Sequence, residues 1–158
     1  MDMMKALVYD RPGSCSIKDL PMPICGEADV IIKVMAASIC KGADRRHHTT
    51  GHKLGRYPVT TGHEFAGYVH QVGSEVKIWK PGDRVTADNA VPCGKCYFCQ
   101  REMYSHCLNF QSVGHSIPGG FAQYVKVKDN SVFRIPDEIP FNEACMTEPV
   151  ACCIHAID

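Results

Sequence analysis

Residues 62–73 read GHEFAGYVHQVG, and this stretch carries much of the information about the fold. Apolar and polar side chains alternate loosely from Glu64 onward, which predicts a β-strand. Gly67 and Gly73 have no side chain, so they allow that strand to bend and to pack closely on its neighbours. His63 and Glu64 are two potential metal ligands side by side, although such a pair is by itself weak evidence for a metal site.

The rest of the first two thirds of the chain also reads as short strands between turns. The predicted strands are rich in β-branched or aromatic residues and are bounded by Gly or Pro; they run over residues 4–9, 29–37, 64–72, 84–87, 121–128 and 132–135. Many short strands with such turns predict a mainly β fold, a barrel or a sandwich.

The pattern changes after Pro140. Asn142 is expected to cap a short helix over residues 143–146, since its side chain can accept a backbone N–H. A second helix is expected to begin near Thr147, with Pro149 in its first turn, where the missing N–H does no harm.

Composition and charge narrow the class of protein. The chain has 158 residues, 45% of them hydrophobic, which is enough for one domain with its own core. Lys plus Arg and Asp plus Glu both number 17, so no charge bias favours nucleic acid or a membrane surface. The start lacks the apolar stretch of a signal peptide. We therefore expect a cytoplasmic protein with neither nucleic acid nor membrane as partner.

Four of the ten cysteines fall in one short segment: Cys93, Cys96, Cys99 and Cys107. Four thiolates complete a tetrahedral zinc site, so we expect a closed, structural zinc lobe over residues 90–110. An iron–sulfur cluster is the main alternative, and disulfides are disfavoured for thiols at such short spacing in a reducing compartment. Most of the other cysteines are expected to be buried free thiols. They are Cys15, Cys25, Cys40, Cys145, Cys152 and Cys153.

A second, open metal site is predicted from residues far apart in the sequence: Cys40, His63, Glu64 and Glu148. A mixed set of sulfur, nitrogen and oxygen ligands with an exchangeable position is typical of catalytic rather than structural zinc. Wide sequence separation also suits an ion that is held at a cleft between segments.

Five features together resemble the N-terminal part of the zinc-containing medium-chain alcohol dehydrogenase family, in the branch with sorbitol and threonine dehydrogenases. They keep the family's order over nearly the whole chain. The features are the Gly62-His63-Glu64 signature with Gly67, Gly73 and Val76, then Cys40, the four-cysteine lobe, the strand at Gly120-Phe121-Ala122-Gln123-Tyr124, and Thr147-Glu148-Pro149.

The resemblance implies a GroES-like β-barrel with short helices, spanning residues 1–158, as the catalytic domain of an alcohol or polyol dehydrogenase. Cys40 and His63 would be permanent ligands of a catalytic zinc, distinct from the structural one. Glu64 or Glu148 would alternate with water or substrate, or one of them would contact a ligand rather than the ion. The implied cofactor is NAD or NADP, and a homo-oligomer is possible. Zinc lowers the pKa of an alcohol, which favours hydride release.

The segment after Cys40 departs from the family pattern. The family usually has a small residue, then Ser or Thr, then Asp, whereas this chain has Lys41-Gly42-Ala43-Asp44. The usual proton relay therefore lacks its hydroxyl. Substitutes are His47, His48, Thr49 or Thr50, each of which is individually better explained as a polar loop residue.

The same loop is strongly basic, with a single acid, Asp44. Such a loop could bind a phosphorylated or acidic substrate, although a solvated basic loop is the commoner explanation. The basic residues are Lys41, Arg45, Arg46, Lys53 and Arg56.

No Gly-x-Gly-x-x-Gly phosphate loop occurs in residues 1–158. We therefore expect the Rossmann cofactor domain to be absent, the chain to be truncated in the helix that links the two domains, and this fragment to be inactive alone. The alternative hypothesis is a stand-alone structural zinc-binding barrel without catalysis.

Overall fold

The computed structural model describes residues 2–157, and its architecture is mainly β, as the sequence predicts. Ten strands occur within the described residues: β1 (Met3–Arg11), β2 (Ser14–Pro21), β3 (Asp29–Ser38), β4 (Val59–Thr60), β5 (Glu64–Val72), β6 (Arg84–Ala87), β7 (Ala90–Val91), β8 (Gln111–Ser112), β9 (Tyr124–Lys128) and β10 (Val132–Arg134). Three α-helices accompany them: α1 (Ala43–His48), α2 (Phe141–Ala144) and α3 (Thr147–His155).

The strands form three antiparallel sheets, and the largest contains β5. Its order is β10-β6-β5-β3-β9, so β3 and β5 lie at its centre. A second sheet has the order β2-β1-β4, and β7 pairs with β8. The pairing of β3 with β5 runs from Val30 opposite Val72 to Ser38 opposite Glu64. This register brings the end of β3 beside the start of β5, where the candidate ligands lie.

The main core lies on one face of the five-stranded sheet. Ile32, Phe65, Val85 and Val125 are each at most 2% exposed and belong to one hydrophobic cluster. These residues come from four neighbouring strands, and such interlocked apolar side chains fix strand register. The core therefore anchors Phe65, and with it the neighbouring Glu64.

Gly67 and Gly73 play the part that the sequence predicts for them. A Cβ at Gly67 would overlap the backbone carbonyl of Lys33, and one at Gly73 would overlap the carbonyls of Gly26 and Glu27. Both positions therefore require glycine because another backbone passes against them.

Most predicted strands are confirmed, and those over residues 64–72 and 84–87 have the predicted bounds. The strand predicted over 121–128 begins only at Tyr124. Strand β2 and helix α1 were not predicted. Strand β2 has no buried face that a sequence pattern could reveal, since all of its residues are exposed or half-buried.

The predicted Asn142 cap is wrong. Helix α2 begins at Phe141, and the carbonyl of Pro140 accepts the backbone N–H groups of Glu143 and Ala144 at 3.0 and 2.9 Å. The Phe141 ring packs on Tyr68, with centroids 4.8 Å apart, which holds the helix start two residues earlier than expected. The helix predicted near Thr147 is confirmed.

The prediction for the scattered cysteines is also wrong for most of them. Among the six outside the lobe only Cys145 is buried, whereas Cys15, Cys152 and Cys153 are exposed. All of the cysteines are free thiols in the described structure. No helix within residues 2–157 has the length and apolar character needed to cross a membrane.

Candidate metal centres

Three of the four residues predicted for an open metal site come together at the end of β3. The ligand atoms of Cys40, His63 and Glu64 all lie within 4.8 Å of one another. His63 and Glu64 are each 4% exposed, and their Nε2 and Oε1 atoms are 3.9 Å apart. Cys40 is half-buried, so one of the three candidate ligands is partly accessible to solvent.

Backbone pairing and two hydrogen bonds hold this group in place. Ser38 lies opposite Glu64 in the β3–β5 ladder and donates its hydroxyl to the Glu64 carboxylate. Two residues further on, the Cys40 backbone N–H donates to Asp44 Oδ2 at 2.9 Å. The first turn of α1 then approaches the thiol, since the Ala43 N–H lies 3.4 Å from Cys40 Sγ.

Two buried polar atoms beside this group have no hydrogen-bond partner within the described residues. They are Nδ1 of His63 and Oδ1 of Asp44. Burial raises the pKa of Asp44, and the nearby His63 opposes that shift. A buried acid and a buried imidazole without a compensating cation are costly. A metal ion on Cys40, His63 and Glu64 would supply that cation, so the donor set fits zinc.

Glu148 lies apart from this group. It occupies the first turn of α3 and is half-buried, and its Oε1 atom accepts from the Cys152 thiol at 3.5 Å. Its side chain lines an open cavity of about 360 Å³ together with Phe133 and Ala151. Its role as a zinc ligand stays a prediction.

The four cysteines of the lobe converge as the spacing predicts. Their sulfur atoms lie within 4.8 Å of one another. The distance between Cys93 Sγ and Cys99 Sγ is 4.0 Å, far beyond a disulfide bond. The lobe contains two 3₁₀ turns, Cys99–Arg101 and Tyr104–His106, which lie between β7 and β8 in the chain.

Electrostatics also suit a metal ion in the lobe. Backbone N–H groups of Cys99 and Leu108 lower the pKa of Cys96 to about 6. Burial and the neighbouring thiols raise the pKa of Cys99 to about 12. Four clustered thiols cannot all ionise without a cation, and a bound zinc ion deprotonates its thiol ligands. The residues present therefore fit a closed four-thiolate zinc site.

A third group, the histidine stack, was not predicted: His47, His52 and His115 have ring nitrogens within 4.8 Å of one another. His47 Nε2 and His115 Nδ1 are 3.0 Å apart, and the His52 and His115 rings stack with centroids 4.3 Å apart. The His115 ring also packs on His63, 4.7 Å away. Because His115 is distant in sequence from His47 and His52, only the fold could reveal the stack.

Burial lowers the pKa of all three rings of the histidine stack, which favours their uncharged forms. Burial, with help from neighbouring histidines, lowers the pKa of His47 to about 4 and that of His115 to about 3. Of the four relay substitutes proposed from sequence, only His47 is buried. The other three, His48, Thr49 and Thr50, are exposed.

Comparisons with known proteins agree with this geometry. Residues 26–137 match the family model described as the alcohol dehydrogenase GroES-like domain. Sorbitol dehydrogenase of Bacillus subtilis (strain 168) is 39% identical over 158 residues, 97% of this chain and 44% of the relative. D-arabitol-phosphate dehydrogenase of Enterococcus avium is 36% identical over 98% of this chain and 44% of its own length.

A solved structure extends the likeness to three dimensions. A protein of Sinorhizobium meliloti 1021, assigned as a zinc-binding dehydrogenase and solved with NADP, superposes with a TM-score of 0.93 at 37% identity. The match covers all of this chain and 46% of that protein. The chain thus spans less than half the length of these relatives.

Proposed function

The chain belongs to the zinc-containing medium-chain alcohol dehydrogenase family through its GroES-like domain, and on that premise we propose that it is the catalytic domain of a zinc- and NAD(P)-dependent alcohol or polyol dehydrogenase. The convergence of Cys40, His63 and Glu64 is the observation that carries this proposal. A purely structural zinc barrel, the alternative, needs no second metal group with a partly accessible ligand.

We assign each residue of the open centre a proposed role in metal binding. Cys40 Sγ, a ring nitrogen of His63 and the Glu64 carboxylate would hold zinc. A zinc ion there supplies Lewis-acid chemistry, which lowers the pKa of an alcohol whose hydride passes to a nicotinamide cofactor. Since the Glu148 carboxylate bonds the Cys152 thiol instead, Glu64 is the better supported of the two glutamates.

The surrounding side chains orient this centre. Ser38 fixes the rotamer of Glu64 by its hydrogen bond, and Asp44 holds the backbone of Cys40. His47, hydrogen-bonded to both Tyr57 and His115, is the best-placed substitute for the missing relay hydroxyl. It is buried, and its partner His115 packs on the proposed ligand His63.

The lobe at residues 90–110 is proposed to carry the second, structural zinc on Cys93, Cys96, Cys99 and Cys107. A four-thiolate site has no position for substrate, so the ion would only brace the loop. The nicotinamide cofactor is proposed to bind outside residues 1–158, since no Gly-x-Gly-x-x-Gly loop occurs among them. The substrate is proposed to be a polyol, in keeping with the named relatives.

Metal analysis of the full-length protein tests the proposal. We expect two zinc ions per chain and a colourless protein, since an iron–sulfur cluster would absorb visible light. Cys40→Ser should remove one ion and abolish alcohol oxidation while leaving the circular dichroism spectrum unchanged. A single zinc ion per wild-type chain under saturating zinc would refute the open centre.

A further inference from the structure

Residues 41–56, which we call the basic segment, form an unpaired cationic surface. All five of its basic side chains are exposed: Lys41, Arg45, Arg46, Lys53 and Arg56. Within residues 2–157 none of them forms an ion pair or a side-chain hydrogen bond. Five like charges in sixteen positions repel one another unless an anion binds them.

Basic residues elsewhere on this protein mostly have acidic partners. Lys126 and Lys128 share Asp29, for example, with a Lys128 Nζ–Asp29 Oδ1 distance of 2.6 Å. The only acid in the basic segment, Asp44, is 5% exposed and turns its carboxylate toward the backbone of Cys40. Acidic side chains of the described residues therefore do not neutralise the basic segment, and its positive charge is available to an anionic ligand.

The histidine stack connects the basic segment to the open metal centre. The Arg46 carbonyl accepts the Gly51 N–H at 2.7 Å, which brings Arg46 beside the loop of His52, and its charge adds to burial in lowering the pKa of that ring. His52 stacks on His115, which in turn packs on His63. The Arg56 backbone N–H also donates to the His115 carbonyl at 3.2 Å. The positive charges thus lie a few side chains from the proposed zinc ligands.

His52 offers a neutral donor between those charges and the centre. Its Nδ1 atom accepts the backbone N–H of Leu54 at 3.2 Å, which leaves the proton of the neutral ring on Nε2. An N–H donor within a segment rich in Arg and Lys suits phosphate oxygens, which accept several charge-assisted hydrogen bonds.

We propose that the basic segment, chiefly Arg46 and Lys53 on either side of His52, binds the phosphate group of a phosphorylated polyol. The far end of the same molecule would present its hydroxyl to the centre of Cys40, His63 and Glu64. This inference rests on the proposed dehydrogenase function and narrows its substrate class.

Calorimetric titration of the zinc-loaded, full-length protein with inorganic phosphate tests the binding step alone. The wild type should bind phosphate, and the double variant Arg46→Ala/Lys53→Ala should bind it at least about tenfold more weakly. The matched control Lys33→Ala/Lys77→Ala removes two exposed charges elsewhere and should bind like the wild type. No phosphate binding by the wild type, or equal binding by both double variants, would overturn the inference.

Kinetics with a hexitol phosphate and the matching hexitol test the substrate assignment. The wild type should prefer the phosphate in kcat/KM, and Arg46→Ala/Lys53→Ala should lose that preference about tenfold or more through KM. The hexitol itself should change less than twofold. An equal fall for both compounds overturns the inference. Phosphate binding by a protein that oxidises no alcohol overturns the proposed function instead, so the two failures are distinguishable.

Discussion

The two candidate metal centres are built in opposite ways. The cysteine lobe takes all of its proposed ligands from one segment, Cys93 to Cys107, which lies between β7 and β8 in the chain. The open centre takes its ligands from the loop after β3 and from the start of β5, and it depends on their register. A local site of one ligand type needs the metal to hold its shape, whereas the open centre is held by the barrel itself.

The largest expected effect is on the lobe. Cys99→Ala removes a proposed zinc ligand from the lobe, and structural zinc sites are worth roughly 10 kcal/mol or more to the folding of small zinc modules. We expect the variant to lose one zinc ion per chain and residues 90–110 to become sensitive to protease. Zinc counting and limited proteolysis measure both.

The matched control for that change is Cys15→Ala, because Cys15 is an exposed thiol outside the lobe. It should keep both ions and wild-type protease resistance. If Cys99→Ala kept its zinc count and melting temperature, the lobe would not be a zinc site, and the contrast between the two centres would disappear.

Phe65→Ala should have the next largest effect, and on the other centre. Phe65 is 1% exposed in the main core and follows Glu64 directly. Truncating a buried Phe costs about 3–5 kcal/mol. We expect urea unfolding to show that loss, and we expect zinc to bind more weakly at the open centre while the lobe keeps its ion.

Phe133→Ala provides the comparison for Phe65→Ala, because Phe133 is 54% exposed. Its cost should stay within about 0.5 kcal/mol. Loss of the lobe zinc in Phe65→Ala would show that the lobe depends on the barrel core, so the two metal centres would not be independent of each other.

The histidine stack, which lies beside the open centre, makes the stability of the protein sensitive to acid. Burial lowers the pKa of His47 from 6.5 to about 4, so the unfolded chain takes up a proton before the folded one. His47 therefore contributes full stability above about pH 6.5, and that contribution is lost as the pH falls toward 4. The loss reaches about 3 kcal/mol, at about 1.4 kcal/mol per pH unit.

The measurement is the free energy of unfolding of wild type and His47→Gln between pH 6.5 and 4. The variant should show a shallower dependence on pH, whatever its absolute stability. The same substitution at exposed His70 is the matched control. Parallel pH curves for wild type and His47→Gln would mean that the folded protein protonates His47 as readily as the unfolded chain does.

Features that depend only on residues close together in the sequence could be predicted, whereas features that depend on tertiary contacts could not. The lobe could be predicted from spacing alone, since Cys93 to Cys107 need no tertiary structure to meet. Strand β5 could be predicted because one of its faces is buried, whereas the polar helix α1 (Ala43–His48) has no apolar stripe and was missed. The grouping of Cys40 with His63 rested on their ligand chemistry and on the family resemblance, because no periodicity connects residues in separate loops.

The histidine stack could not be predicted for the same reason. His52 and His115 meet only because the loop after α1 folds back on the segment that follows β8, and neither residue stands in a recognisable motif. For the helix after Pro140, local capping rules favoured Asn142. The packing of Phe141 on Tyr68 decided the start instead, which is a tertiary effect that the local sequence does not contain.

The smallest expected effect comes from Ser38, the residue through which β3 holds Glu64. Ser38→Ala removes one hydrogen bond to a buried carboxylate, and hydrogen bonds to charged groups contribute about 1.5–3 kcal/mol. Zinc should therefore bind the open centre roughly ten- to 100-fold more weakly, as measured by competition with a chelator, while the lobe affinity stays unchanged. Ser74→Ala, at an exposed serine, should alter neither affinity. Equal weakening of both sites by Ser38→Ala would mean that the two centres share one cooperative scaffold. An unchanged open centre would mean that the metal alone, not β3, positions Glu64.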